Sequence, residues 1–385
     1  MDYIYLDNNA TTPLLPAVWE SMRPYVSEVF GNPASAHAAG RRARRALEDA
    51  RETLASHLGA QADEVLFTSG ATEANNLALF GLSGDPPAHL LASPIEHPSV
   101  AEPLRRLAET GFTLDTLPVD AQGCVRAETL PDRLRLVAVM RANHETGALQ
   151  PIRAMTEALS GRARFHCDAT QAAGKIPVHF HDLGVDTLAL SAHKFHGPKG
   201  IGALLVRRGV KLPPRTWGGH QQHGRRPGTE PVALAVGFAH ALERACQEMN
   251  DRLAHVRQLR RRFLDHLNAD SAPIVLNGGD DGIPHTINVS FPGLKADLLL
   301  MNLDLAGIAC STGSACSSGS LLPSPVLQAM GVPDAVLSSA MRFSLSPLLT
   351  VDDIDEAARR IAAVVVRLRN EPATVRQASR LSRNG

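Results

Sequence analysis

Residues 191–202 read Ser-Ala-His-Lys-Phe-His-Gly-Pro-Lys-Gly-Ile-Gly and lie between apolar runs at 187–190 and 203–206. Two short buried strands bracketing so many small and ionisable residues mark a site more often than a spacer. A lysine amine at a strand end, shielded from water, can form a Schiff base with an aldehyde cofactor, and Lys194 is the residue placed to do so. Taken alone, a glycine-rich loop with solvated lysines explains the stretch as well.

Other reactive residues recur just after apolar runs. Residues 68–76, Thr-Ser-Gly-Ala-Thr-Glu-Ala-Asn-Asn, turn into a helix whose free amides, with the Thr72 hydroxyl, can hold a phosphate. An ordinary helix cap explains the same residues. His97, in Glu-His-Pro-Ser, can stack on a flat ring or cap the next helix. Residues 141–147 form a polar turn able to face a carboxylate. Asp168 ends another run; a mostly buried aspartate needs a cationic partner, and a protonated pyridine nitrogen would supply one. Alternation puts Cys167 on the opposite face, as a packing residue. Ser191 and His193 can add hydrogen bonds to the same phosphate. Arg342, between apolar neighbours, is costly to bury unpaired and reads as a carboxylate grip or a structural ion pair. Cys316 sits in Ser-Thr-Gly-Ser-Ala-Cys-Ser-Ser-Gly-Ser at 311–320, a tether of small residues that suits a thiol moving between a site and a partner. Cys310, ending an apolar run, reads as packed.

The elements that must position these groups alternate. Strand-like runs at 64–68, 89–93, 113–117, 136–140, 165–168, 187–191 and 202–206 are separated by helices or turns. That pattern means a mostly parallel sheet covered on both faces, with ligands beyond the carboxyl ends of the strands. A helix capped by Ser35 runs to about residue 58, and one very long helix runs from 231 to about 267. Further strands at 274–276, 286–291 and 341–343, with helices near 296–303 and 351–366, form a smaller α+β domain. The expected division is a large domain over 14–255 and a small one over 1–13 and 256–385, which carries a mobile cysteine loop at about 308–322.

At 385 residues the chain exceeds one typical core. Lys+Arg and Asp+Glu both number 39, which argues against nucleic acid or a membrane surface as partner. No apolar stretch is long enough to span a membrane, and residues 1–7 lack a secretory pattern, so a cytoplasmic location is expected. Five scattered cysteines without CxxC suit free thiols. Close histidine pairs occur at 179/181, 193/196 and 220/223, but no metal motif accompanies them and no metal site is expected.

Seven motifs in one order, SGATEANN (69–76), EHPSV (96–100), DATQ (168–171), SAHKFHGPKGIG (191–202), RRPGTE (225–230), STGSACSSGS (311–320) and MRFSL (341–345), resemble the cysteine desulfurases of the NifS/IscS type, group I, in the class V aminotransferase family. The resemblance implies fold-type I, a homodimer and pyridoxal 5'-phosphate. It implies Lys194 at the cofactor aldehyde, Asp168 at the pyridine nitrogen, His97 stacked on the ring and Gln171 at the phenolic oxygen. Ala71, Thr72, Ser191 and His193 would bind phosphate, with Thr229 from the other subunit. Asn143, Arg342 and Asn8 would hold the substrate carboxylate. Cys316 would carry the persulfide, and His97 is the candidate to accept its thiol proton. L-Cysteine would yield L-alanine, with sulfur passed to an acceptor or iron–sulfur scaffold protein. A selenocysteine lyase or aminotransferase of the same fold is the alternative, and a non-catalytic partner of a scaffold protein a further one. The chain departs from the family at His144, where a second asparagine is common, and at His220, Gln222 and His223.

Overall fold

A computed structural model describes residues 3–126, 130–131, 133–313 and 323–370. Cys316 lies outside the described residues.

The chain opens with a two-residue strand, β1 (Ile4–Tyr5), and a helix α1 (Pro16–Ser27). Proline suits that helix start because its fixed φ is already helical and its missing N–H is not needed there. Helix α2 (Ala38–His57) is capped by the His37 ring, which accepts from the Gly40 amide at 3.3 Å, and not by Ser35. The reason is packing: a Cβ at Gly40 would collide with the Ser35 carbonyl, so the 32–36 turn lies folded on the helix start and the cap moves to His37.

Seven strands make the main sheet: β2 (Val65–Thr68), β3 (His89–Ala92), β4 (Thr113–Thr116), β5 (Leu136–Ala138), β6 (Arg164–Asp168), β7 (Thr187–Ser191) and β8 (Gly202–Val206). Their order is β2-β8-β7-β6-β5-β3-β4. β8 runs antiparallel to both neighbours and every other pairing is parallel. Both faces are covered, which is why β5 and β8 are apolar throughout, and β7 between Thr187 and Ser191, rather than alternating. On β7, Leu188 and Leu190 join the core that contains Phe165, Phe180 and Phe238. Ala189 between them joins the opposite core, under α3 (Ala71–Leu82) and α4 (Pro98–Glu109). Each such leucine or phenylalanine contributes roughly 1.5–3 kcal/mol by leaving water.

The expected long helix is two, Val232–Gln247 and Met249–Asp270, parted at Glu248. Glu248 leaves helical geometry while its carboxylate takes Arg244 at 2.6 Å and Arg252 at 2.7 Å, one from each helix. Four residues separate Glu248 from each arginine, so the charge pairs persist across the break. Beyond it, β9 (Val275–Asn277), β10 (Thr286–Ser290) and β12 (Ala340–Ser344) form an antiparallel sheet in the order β12-β10-β9. β11 (Ile308–Ala309) pairs in parallel with β1, from the other end of the chain. A second core, with Phe263, Phe291, Phe343 and Ile361, also takes in Ile4 and Leu6 of the N-terminal arm. Among the described residues no helix is long and apolar enough to cross a membrane.

Candidate active site

The β7–β8 connection turns sharply because Gly197 has no side chain. Its amide bonds the Ala192 carbonyl at 3.0 Å, and a Cβ there would sit 2.8 Å from that oxygen. The resulting tight turn holds Lys194 outward. Across it lies the N-terminal arm: Thr12 donates through both its amide, at 3.0 Å, and its hydroxyl, at 2.9 Å, to the His193 carbonyl. The Lys194 Nζ donates to the carbonyls of Asn9 at 2.5 Å and Ala10 at 2.8 Å.

Lys194 lines a cavity of about 430 Å³, and Asp168, His97 and Gln171 line it too. So do Ala71 and Thr72, at the start of α3, with Ser191 and His193 beside them. No side chain caps α3, so its first turn offers backbone amides. Gly202 lets the backbone before that helix approach, since a Cβ there would be 2.7 Å from the Gly70 Cα. This arrangement is an anion cradle: helix amides, a serine hydroxyl and an imidazole in one wall of a cavity.

Asp168 is buried. Its Oδ1 accepts from the Thr170 amide at 2.9 Å and its Oδ2 from the Asn75 side chain at 2.8 Å, both neutral donors. Among the described residues it makes no salt bridge, so this carboxylate has room for a cationic ligand. The other nearby carboxyl, Glu96, is pushed well above its ordinary range by burial, with Asp168 adding repulsion. The imidazoles around the cavity are neutral for related reasons. Burial and then the lysines 194, 199 and 175 bring His193 down to about 4. Burial lowers His97 against the pull of Asp168, and lowers His144 well below its usual value, with His97, Arg342 and Lys194 adding to the effect. The rings of His97 and His144 meet edge to face at 5.3 Å.

Gln171 is aimed by a residue the sequence reading passed over. The Lys175 amine donates to Gln171 Oε1 at 2.6 Å and to Asn9 Oδ1 at 3.2 Å. Burial, then Lys194 and Arg342, hold Lys175 well below the usual lysine range. Its position in an otherwise apolar Ala-Ala-Gly-Lys-Ile-Pro-Val run was the available signal.

The expected substrate residues are placed differently. Asn143 is wholly buried and its side chain is consumed locally: Nδ2 donates to the Ile95 carbonyl at 3.0 Å, and Oδ1 accepts from the amides of Glu145 and Thr146, each at 2.9 Å. It does not line the cavity; its neighbour His144 does. Arg342 is buried on β12, where Nη2 donates to Asp7 at 2.9 Å and Nη1 to the His144 carbonyl at 3.2 Å, while Nε lacks a partner among the described residues. Asn8 borders a smaller void of about 20 Å³ that also touches Lys194. Thr229 lies outside the main cavity, in a separate cleft with Trp217 and Arg226. At the near end of the cysteine tether, Gly313 packs where any Cβ would collide with the Glu145 carboxylate; Ser324, beyond the tether, donates to that same carboxylate at 2.5 Å. Among the described residues no group of three or more His, Cys, Asp or Glu side chains could hold a metal ion.

The sequence profile of the aminotransferase class-V family matches residues 4–357. A cysteine desulfurase IscS of Dictyoglomus turgidum is 41% identical over 375 residues, 95% of each chain. The chain belongs to the class-V aminotransferases, among the cysteine desulfurases. A cysteine desulfurase of Klebsiella pneumoniae is 41% identical over 378 residues, 96% of this chain and 94% of its own. A solved NifS-like protein superposes with a TM-score of 0.89 at 34% identity, covering 94% of this chain and 99% of its own. The family's α/β architecture thus spans the mixed seven-stranded sheet and the second core of this desulfurase.

Proposed function

We propose that this chain binds pyridoxal 5'-phosphate at Lys194 and removes sulfur from free L-cysteine, leaving L-alanine and a persulfide on Cys316. The observation that carries this is one cavity lined by an amine on a rigid turn, a buried carboxylate without a salt bridge among the described residues, and an uncapped helix start. Those three features match the aldehyde, the ring nitrogen and the phosphate of that cofactor. When bound, it supplies an electron sink for the bonds around the amino-acid Cα.

The chain's own residues do the rest. Ala71, Thr72, Ser191 and His193 hold the phosphate, and Thr229 joins them from a second subunit. Asp168 keeps the ring nitrogen protonated. Gln171, steered by Lys175, meets the phenolic oxygen, and His97 lies on the ring. Lys194 would move the substrate's α proton. Arg342, with Asn8 nearby, meets the substrate carboxylate by exchanging Asp7 for it, an exchange between like partners that keeps a buried guanidinium paired. The role expected of Asn143 passes to His144, the polar residue of that turn that lines the cavity. The Cys316 thiolate attacks the substrate sulfur: one S–S bond forms, the substrate C–S bond breaks, and two thiols become alanine and a persulfide. The persulfide passes to a thiol of an acceptor or iron–sulfur scaffold protein, in the cytoplasm.

Mass spectrometry after exposure to L-cysteine tests this. Cys316 should gain one sulfur atom and lose it to an added acceptor thiol, and C316S should release no alanine under turnover while keeping the visible absorbance of the cofactor. Full alanine turnover by C316S would refute the assignment.

A further inference from the structure

A chain of hydrogen bonds runs behind the cavity, and its proton order can be deduced from one end. A carboxylate oxygen only accepts, so the Asn75 atom facing Asp168 Oδ2 at 2.8 Å is the amide nitrogen. Asn75 Oδ1 therefore faces His166 Nε2 at 3.0 Å, and that nitrogen carries the proton. His166 Nδ1 is left to accept from the Thr187 hydroxyl at 2.9 Å. The second Asn75 N–H donates to Ser99 Oγ at 2.8 Å. With an oxygen lone pair so engaged, the Ser99 hydroxyl hydrogen points to its remaining neighbour, His97 Nδ1, also at 2.8 Å.

The Ser99 backbone N–H makes the same demand independently. His97 caps α4, and its Nδ1 lies 3.1 Å from that amide. A backbone amide cannot become an acceptor, so the nitrogen it meets must be unprotonated. We infer that Ser99 locks His97 in the tautomer protonated at Nε2, so that His97 offers the cavity a hydrogen-bond donor and not a base. Ser99 is thus a positioning residue, held in turn by Asn75, and neither is among the residues assigned above. Taking up a proton at Nδ1 would set two N–H groups head on and turn the Ser99 hydroxyl away. Burial of His97 opposes the doubly protonated ring as well. The inference rests on the desulfurase reading only for its consequence: the Cys316 thiol proton goes to another group, and His97 instead steadies negative charge developing in the cavity.

The test is nitrogen NMR of the cofactor-loaded protein labelled at its histidine rings, with the His97 signals identified by their loss in H97Q. Wild type should show a protonated Nε2 and an unprotonated Nδ1. In S99A the Nδ1-protonated population should rise on the order of fivefold, the typical net worth of one neutral hydrogen bond, and S99T should restore the wild-type pattern. A wild-type ring protonated at Nδ1 would overturn the inference. This readout needs no turnover, so an inactive protein would sink the desulfurase reading and leave the tautomer question decided on its own.

Discussion

His196 offers a test of the electrostatics, because it is buried at 3% exposure and has no assigned role toward cofactor or substrate. Its Nδ1 donates to the Pro13 carbonyl at 3.0 Å, and its Nε2 lies 3.3 Å from the Ser346 hydroxyl. Burial is the largest influence and brings it down to about 4; the Pro13 bond opposes this, and Arg252 and Lys175 reinforce it. An unfolded histidine titrates near 6.5, so between these values the unfolded chain binds more protons, and stability must fall as pH falls. At pH 5 the unfolded side chain is almost fully protonated and the folded one almost not, a difference worth about 2 kcal/mol. The perturbation is His196→Asn. Asparagine tolerates the left-handed backbone found here, φ 69°, can still donate to Pro13, and does not titrate. Urea unfolding of both proteins at pH 7 and pH 5 isolates the effect, since every other titrating group is common to the two and cancels. Wild type should lose about 2 kcal/mol more than H196N over that interval. Equal losses would mean that His196 is already charged in the folded protein, or that the site admits water, and the argument for neutral imidazoles around Lys194 would fail with it.

Replacing Asp168 by asparagine keeps the shape but removes the negative charge; kcat should fall by roughly 10²–10³, with a change in the cofactor's visible spectrum but retained binding. Gly197→Ala sets a methyl against the Ala192 carbonyl, which is backbone and cannot swing aside; thermal unfolding should show a loss of about 1–3 kcal/mol, and borohydride trapping at Lys194 should weaken with it. Gly313→Ala pushes on the Glu145 carboxylate that also holds Ser324; the rate of persulfide formation should drop while cofactor binding, read from absorbance, stays unchanged.

Much of the fold was legible because its signals are local. Short apolar runs set between polar and glycine-rich segments gave the central strands, and β7 and β8 fall where the pattern puts them. What escaped was set by partners distant in sequence. The two-residue strands β1 and β11 are too short to show any period, and exist because they meet across about three hundred residues. The break at Glu248 was hidden because arginines on both sides keep the helical spacing intact while the backbone departs from it.

The site divides in the same way. Residues that sit at or just beyond strand ends, Asp168, Ser191 and Lys194, could be read from position, since topology sends such residues toward one edge of the sheet. Asn143 and His144 show where that logic stops. They are adjacent in an irregular turn, so neither helical nor strand periodicity says which one faces inward. The decision is made by hydrogen bonding: the main-chain amides of Glu145 and Thr146 need an acceptor, Asn143 Oδ1 supplies it, and the turn so closed delivers His144 to the cavity. An asparagine side chain can imitate the backbone in this way and a histidine cannot do so as well. The order Asn-His is therefore the one that closes the turn, and reversing it by N143H/H144N should open that turn, leave two buried amides without acceptors, and cost more stability than either residue's contact with a ligand could return.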